Sequence, residues 1–456
     1  LLKAASCRRR GRAQRRACGF AAFRAERLCL SGRLLIVWAA PYPRRSLYLE
    51  WFQRNGEALP HGRRQSRKED FMTQAAEQIA IRKLALDEAH GLLGASMTDR
   101  DGWSVPASYG EVAQEYAAVR EAGAGLIDLS PRGRLLVSGS EAVQFLNGLI
   151  TNDMKTLEVG NWMPAAFPNV QGRLIAAVRV GHLHDRDTDK GTDRNVCPTF
   201  SIDTEAATHE TVLKTIERFT LAGDFHVDDT TSETVMLSVQ GKKASTVLGS
   251  VLGETTGVSA PQALRQISWQ QAGATTDVTV IHASHTGEDS FDLIVNTDHA
   301  DKLWNALRQA GAQPIGYDAL EILRIEAGVP RYGIDMDDTN VVTETNLDDA
   351  VSYTKGCYIG QEIIARIKYR GHVAKKLSGL MFAGTVAVSA GAVVNSADRK
   401  DIGRITSVTF SPKLNCTVAL AYLKYDYIMP GALVKVIAAD QELSGKVVEL
   451  PFVPVA

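Results

Sequence analysis

Residues 355–362 read Lys355-Gly356-Cys357-Tyr358-Ile359-Gly360-Gln361-Glu362, and this stretch decides how the rest of the chain is understood. One cysteine stands between Gly356 and Gly360, so backbone crowding around its sulfur is low. Lys355 lies close enough in sequence to favour a thiolate. Gln361 and Glu362 open a helix through Ile363, Ile364 and Ile367, and Glu362 with Arg366 forms an i, i+4 pair. Two readings of Cys357 follow from the residues alone. It is either a reactive thiol on a glycine-rich turn or a small inert cysteine buried ahead of a helix.

The chain has 456 residues, which predicts two or three domains rather than one core. Hydrophobic residues make up 45% and charged residues 23%, the composition of an ordinary globular protein. The longest apolar run, Leu34–Ala40, is far short of the roughly 20 residues that cross a bilayer. The net charge of −1 conceals an asymmetry: residues 1–71 carry 17 Lys+Arg against 5 Asp+Glu, so the body is acidic. An acidic body argues against direct nucleic-acid binding as the main task. The six cysteines (Cys7, Cys18, Cys29, Cys197, Cys357 and Cys416) show no C-x-x-C or Cys/His ligand spacing. This excludes a disulfide framework and fits a reducing compartment, the cytoplasm.

Residues 1–71 contain Arg8-Arg9-Arg10, Arg15-Arg16, Arg44-Arg45 and Arg63-Arg64 and lack periodicity. They read as non-native upstream sequence ahead of a start at Met72, as a mitochondrial transit peptide, or as a basic arm; the first reading is adopted. Beyond them the pattern predicts helices over Thr73 to about Leu93, Glu111–Ala122, Thr211–Leu221, Ala300–Ala310 and Asp318–Ala327. Ser140 is the expected N-cap of a further helix carrying Val143, Phe145 and Leu146. Strands are expected at Arg134–Val137, Trp162–Phe167, Leu174–Val180, Thr234–Val239, Val278–Ile281 and Phe291–Val295. Ser104–Gly110 and Gly181–Asp193 read as loops, and Gly123-Ala124-Gly125 as a helix stop. After about Lys375 short β-rich runs dominate: Leu377–Phe382, Ile402–Thr409, Val418–Tyr422, Leu433–Ile437 and Lys446–Leu450. They read as a small antiparallel barrel or sandwich.

Four elements in order carry a resemblance. They are Phe145-Leu146-Asn147-Gly148 with Thr151-Asn152-Asp153; Leu323-Arg324-Ile325-Glu326-Ala327-Gly328 with Pro330, Gly333 and Asp335; Lys355–Glu362; and Gly403-Arg404-Ile405-Thr406-Ser407 with Ser411-Pro412. Over roughly residues 100–450 the chain resembles the folate-binding proteins related to the glycine-cleavage T-protein, and its cysteine motif resembles the YgfZ-type branch. The resemblance implies an α+β, T-protein-like fold of three subdomains. It places a tail at 1–71, a folate-binding core of two interleaved subdomains at 72–374, and a C-terminal antiparallel β-barrel at 375–456. It also implies tetrahydrofolate or a one-carbon derivative as cofactor, and Cys357 with Lys355 as the reactive pair. Gly356, Tyr358, Gly360, Gln361 and Glu362 complete the motif. On the YgfZ-type branch the partners are iron–sulfur assembly or client proteins, among them tRNA-modifying enzymes.

The resemblance also tests the chemistry. Where the T-protein carries a "GG-x-x-D-D" stretch, this chain has Gln171-Gly172-Arg173-Leu174-Ile175-Ala176-Ala177. Alanine neither accepts a proton nor balances a cation, so aminomethyl transfer by the family's usual route is expected to be lost. The T-protein's "GYTGEDGFE" resembles His285-Thr286-Gly287-Glu288-Asp289-Ser290-Phe291-Asp292, with His285 for tyrosine and Asp292 for glutamate. The folate contacts implied are Asn152, Gln171, His285, Asp292 and Arg324. For Arg324, an internal ion pair with Glu326 or Asp335 is the equal alternative. The main expectation is a tetrahydrofolate-binding protein assisting iron–sulfur cluster assembly or repair. The rivals are a folate-dependent aminomethyltransferase and an adaptor with a vestigial pocket. No metal site is expected: His182, His184 and Asp185 read as an exposed loop, and His282 and His285 carry little metal weight. Cys197 and Cys416 read as fillers.

Overall fold

The computed structural model describes residues 81–454 apart from 122, 188–195, 222, 254–257, 272–273 and 439–440. The basic segment, Met72 and most of the helix expected from Thr73 lie outside these residues.

Two sheets and a barrel organise the rest. A six-stranded sheet runs in the order Leu264–Gln271, Ala274–His282, Ser290–Asn296, Thr234–Gln240, Gly125–Asp128, Gln313–Pro314. Its residues alternate between two faces, as strand geometry requires. Val235, Leu237, Val239, Phe291, Leu293 and Val295 pack against the helices Ala244–Leu252 and Ala300–Gln309, around the fully buried Trp304. A five-stranded sheet follows the order Trp162–Pro168, Leu174–Asp187, Val196–Thr204, Gly133–Ser138, His226–Asp229. Its apolar face, with Val178, Val180, Phe200 and Ile202, packs against the helices Ala142–Leu149 and His209–Glu217. The chain leaves the first sheet after Asp128, builds the whole second sheet, and returns at Thr234. The last 80 residues close a six-stranded barrel in the order Lys375–Phe382, Cys416–Lys424, Gly403–Ser411, Val393–Asn395, Leu433–Ala438, Gln441–Val448.

Several expectations are corrected. Among the described residues of the stretch up to Leu93, only Asp87–Leu92 is helical, because Arg82–Lys83 pair in parallel with Trp103 and Ser104. Trp103–Ser108 is a strand, not a loop. Arg82–Lys83 cover only its first two residues, so on that side no ladder bond is asked of Pro106. Gly125 begins a fully buried strand rather than ending a helix. A Cβ there would come within 2.5 Å of Val119, and this close approach explains the glycine. Gly181–Asp187 prolongs its strand against Val196–Thr204, with His182 buried and its Nε2 2.8 Å from Asp185. Ser140 does not cap the following helix; its hydroxyl donates to Asp224 at 2.6 Å.

The helix Tyr317–Glu326 joins the first sheet to the barrel. It stops as the sequence predicts, at Gly328 in the left-handed region with φ 70°. Val329 N–H bonds the Arg324 carbonyl and Gly328 N–H the Ile325 carbonyl, each at 2.9 Å, a paired C-terminal cap. At its last turn Glu326 is fully buried. It accepts from Arg120 at 2.8 Å, from the Tyr116 hydroxyl at 2.9 Å and from Ser411 of the barrel at 2.5 Å. Removing a buried carboxylate strands Arg120 as well, so Glu326→Ala is expected to cost roughly 3–5 kcal/mol in urea unfolding. Glu326→Gln, which keeps some of these bonds, costs less.

Candidate active site

One face of each sheet meets the other across a polar seam. Ser238 and Asp292 belong to the face of the first sheet opposite Leu237, Leu293 and their apolar neighbours; Ile127 and Met236, on the same face, pack against the helix Tyr317–Glu326. Arg179 and Asp203 belong to the corresponding face of the second, opposite Val178, Val180 and Ile202. Arg179 spans the seam. It donates through Nε to Asp203 at 2.5 Å and lies with Nη1 2.6 Å from Asp292. Arg132 grips Asp203 from the other side in a two-pronged pair at 2.7 and 3.1 Å. Asp292, fully buried, also receives the Ser238 hydroxyl at 2.5 Å and lies 2.9 Å from His285 Nε2. Burial opposes ionisation of Asp292, yet His285 and Arg179 hold its carboxyl far below the usual carboxylate range. For Asp203 burial is likewise overcome, by Arg132 and Arg179.

Above this seam lies an open cleft of about 730 Å³, counting space continuous with solvent, lined by His285, Arg132, Glu205, Tyr317, Arg324 and Arg331 among others. Arg100, Arg324 and Arg331 converge on Glu321, Arg100 at 3.0 Å and Arg331 at 3.6 Å. Arg324 also pairs with Asp335 at 2.6 Å and donates to Ser407 of the barrel at 2.7 Å. Of the internal partners considered for Arg324, Asp335 is the one engaged; Glu326 is held by Arg120 instead. Glu205 is the carboxylate on this wall that has an interior position and no ion pair among the described residues. It accepts only the backbone N–H of Tyr332, at 3.2 Å. Burial pushes its pKa up to about 7, against the opposing pull of Arg132.

The residues singled out from sequence fall in two places. His285, Asp292 and Arg324 gather at the cleft. Asn152, Gln171 and the cysteine motif gather beside it, and neither Asn152, Gln171 nor Cys357 lines the cleft. Gly360 has φ 79°, and a Cβ there would meet the Asn169 carbonyl at 2.4 Å. Glycine therefore lets the motif dock on the turn containing Gln171 and Gly172. Lys355 is buried, and its ammonium donates to the carbonyls of Ile150 and Asn152 at 2.9 and 2.5 Å. Burial lowers its pKa to about 8, with Asp153 pulling the other way. Its charge is thus committed to backbone carbonyls and to the face of Tyr358, 5.0 Å away. Cys357 is exposed and unpaired, which removes the buried-filler reading; Cys416 is buried and Cys197 half-buried. Glu362 pairs with Arg366 at 2.7 Å.

Ala176 packs into the apolar core of the second sheet. Ala177 lies on the face of Arg179, next to the cluster of Leu174, Val342 and Tyr358. Neither position places a carboxylate in the cleft. Arg132, Arg179, Asp203 and Glu205 were not foreseen from the sequence. For Arg179 and Asp203 the available signal was a charge set inside an otherwise apolar strand. No cluster of His, Cys, Asp or Glu that could hold a metal ion occurs among the described residues. No helix among them is long and apolar enough to cross a membrane.

Residues 86–355 match the family model of the GCVT N-terminal domain, and residues 375–454 match that of the glycine cleavage T-protein C-terminal barrel domain. The chain belongs to the glycine cleavage T-protein family. It is 32% identical to the aminomethyltransferase of Alcanivorax borkumensis, over 81% of this chain and 96% of that one. It is 31% identical to that of Symbiobacterium thermophilum, over 82% and 97%. The fold is similar to the crystal structure of the glycine cleavage system aminomethyltransferase T from Bartonella henselae, with TM-score 0.73 and 24% identity, covering 82% of this chain and 98% of that one.

Because the Glu205 carboxyl holds its proton to a higher pH folded than unfolded, the chain loses stability as pH rises from about 4.5 towards and past about 7. Glu205→Gln is therefore expected to raise the melting temperature at pH 8, by roughly 1–2 kcal/mol of stability after allowance for partial exposure. At pH 4 the two proteins should melt alike.

Proposed function

We propose that this chain binds tetrahydrofolate in the cleft and acts in one-carbon transfer of the aminomethyltransferase kind. The observation that carries this reading is the cleft itself, a half-enclosed space walled by His285, Arg132 and Glu205, with the buried Asp292 behind His285. Relatives that match over nearly their full length and are named aminomethyltransferases favour the transfer reaction. The folate sits with its pteridine towards His285 and Glu205, since Asp292 is already held by Arg179, His285 and Ser238. Ala176 and Ala177 offer no carboxylate, so the proton acceptor of the transfer is another group. Calorimetry with tetrahydrofolate is expected to show one saturable site, and an assay with an aminomethyl-loaded lipoyl carrier protein is expected to show turnover. No heat in the first, as for an adaptor with a vestigial pocket, overturns the reading.

One observation favours a second reading, the YgfZ-type role in iron–sulfur cluster assembly or repair. Cys357 is exposed, and its loop is anchored on the C-terminal side: Ile359 N–H bonds the Gly148 carbonyl at 3.1 Å, and Gly360 abuts Asn169. A single thiolate cannot hold a cluster that takes about four ligands, so such a role is shared with a partner protein or a small thiol. On this reading Cys357→Ala fails to restore iron–sulfur enzyme activity, including that of tRNA-modifying enzymes, in cells lacking the protein. On the transfer reading the same variant keeps its activity with tetrahydrofolate.

A further inference from the structure

We propose that His285, oriented by Asp292, is the proton-transfer residue of the cleft, standing in for the carboxylates that are absent at Ala176 and Ala177. The inference rests on the transfer reading above and deepens it. His285 and Asp292 are the two positions where this chain departs from the family's tyrosine and glutamate, and the structure joins those two departures. His285 Nε2 lies 2.9 Å from the Asp292 carboxylate. Its backbone N–H is tied to the Gln240 side chain at 3.2 Å. A buried carboxylate on Nε2 selects the tautomer that donates there, leaving the Nδ1 lone pair free. This is the orientation logic of a His–Asp base.

Of the other carboxylates near the seam, Asp203 is held by Arg132 and Arg179, and Glu321 by Arg100, Arg324 and Arg331. Glu205 and Asp101 stand on the cleft walls without an ion pair among the described residues, so Glu205 is the rival base. The charged groups around the imidazole are Asp292, Arg179 from the facing sheet, and on the cleft walls Arg100, Arg132, Arg324 and Arg331 with Glu205 and Asp101.

As a pteridine nitrogen donates its lone pair to the carbon of the aminomethyl group, the carbon–sulfur bond to the lipoyl carrier breaks and its electron pair leaves with the thiolate. The N–H proton of the pteridine nitrogen passes to Nδ1 of His285, giving an imidazolium whose Nε2–H stays on Asp292. The second folate nitrogen then bonds the same carbon as the amine departs with the electron pair of its bond and takes the imidazolium proton, leaving as ammonia and restoring neutral His285. The proton of the second nitrogen goes to the carrier thiolate.

The test measures turnover of tetrahydrofolate with the aminomethyl-loaded lipoyl carrier, as a function of pH, for the wild type, His285→Gln and Glu205→Gln. Tetrahydrofolate calorimetry and melting curves accompany each. Expected is a His285→Gln protein that melts much as the wild type does, but at saturating tetrahydrofolate turns over about 10²–10⁴-fold more slowly and loses the acid limb of the pH profile. Asp292→Asn should shift that limb to lower pH, a change that packing alone would not produce. Wild-type turnover and pH profile in His285→Gln, or loss of the limb in Glu205→Gln alone, overturns the proposal and leaves the transfer reading standing. A His285→Gln protein that no longer folds shifts the decision to the Asp292→Asn and Glu205→Gln profiles; an unmoved limb in Asp292→Asn then overturns it. Absence of both binding and turnover in the wild type overturns the transfer reading, and the proposal with it.

Discussion

Arg179 is the side chain on which the site depends. Two buried carboxylates, Asp203 and Asp292, stand on facing sheets, and their mutual repulsion would hold the sheets apart. One guanidinium between them converts that repulsion into a bridge. Its planar guanidinium presents N–H groups on separate nitrogens in a fixed fork, so each acid is met from its own direction. Arg132, just ahead of the strand Gly133–Ser138, completes the charge balance and also lines the cleft. The other walls of the cleft come from the helix Tyr317–Glu326 and the loops around Glu205.

The barrel and the alternating strands were legible in the sequence because their signal is local. Leu377–Phe382 and Val418–Tyr422 alternate or run apolar between turn residues, and the structure lengthens these strands without moving them. The helix stop at Gly328 was legible for the same reason. What local pattern missed depended on distant partners. Trp103–Ser108 carries a proline that reads as a breaker until its one-sided pairing is known. Gly125–Asp128 reads as the end of the preceding helix until Thr234–Gln240 lies beside it.

The same division holds at the site. The cysteine motif and His285–Asp292 could be named from residue type and spacing. Arg179 and Asp203 could not be assigned to the site, because nothing in sequence says that residues from two separate sheets face each other. Lys355 shows the opposite error: nearness in sequence to Cys357 implied an electrostatic partner, but the ammonium is drawn to the carbonyls of Ile150 and Asn152.

The path of the chain between the sheets bears on how the molecule is made. Gly125–Asp128 is flanked by Thr234–Gln240 on one side and Gln313–Pro314 on the other, and the entire second sheet is inserted between the first of these pairings. A ribosome delivering the chain in order therefore releases an inner strand of the first sheet more than a hundred residues before either neighbour exists. That strand, apolar and buried on both faces, must wait while Gly133–Asp229 finds its own sheet. Such long-range pairing slows folding and leaves an unpaired edge exposed in the interval. The order of synthesis through residues 130–230 therefore sets how long that strand stays unpaired.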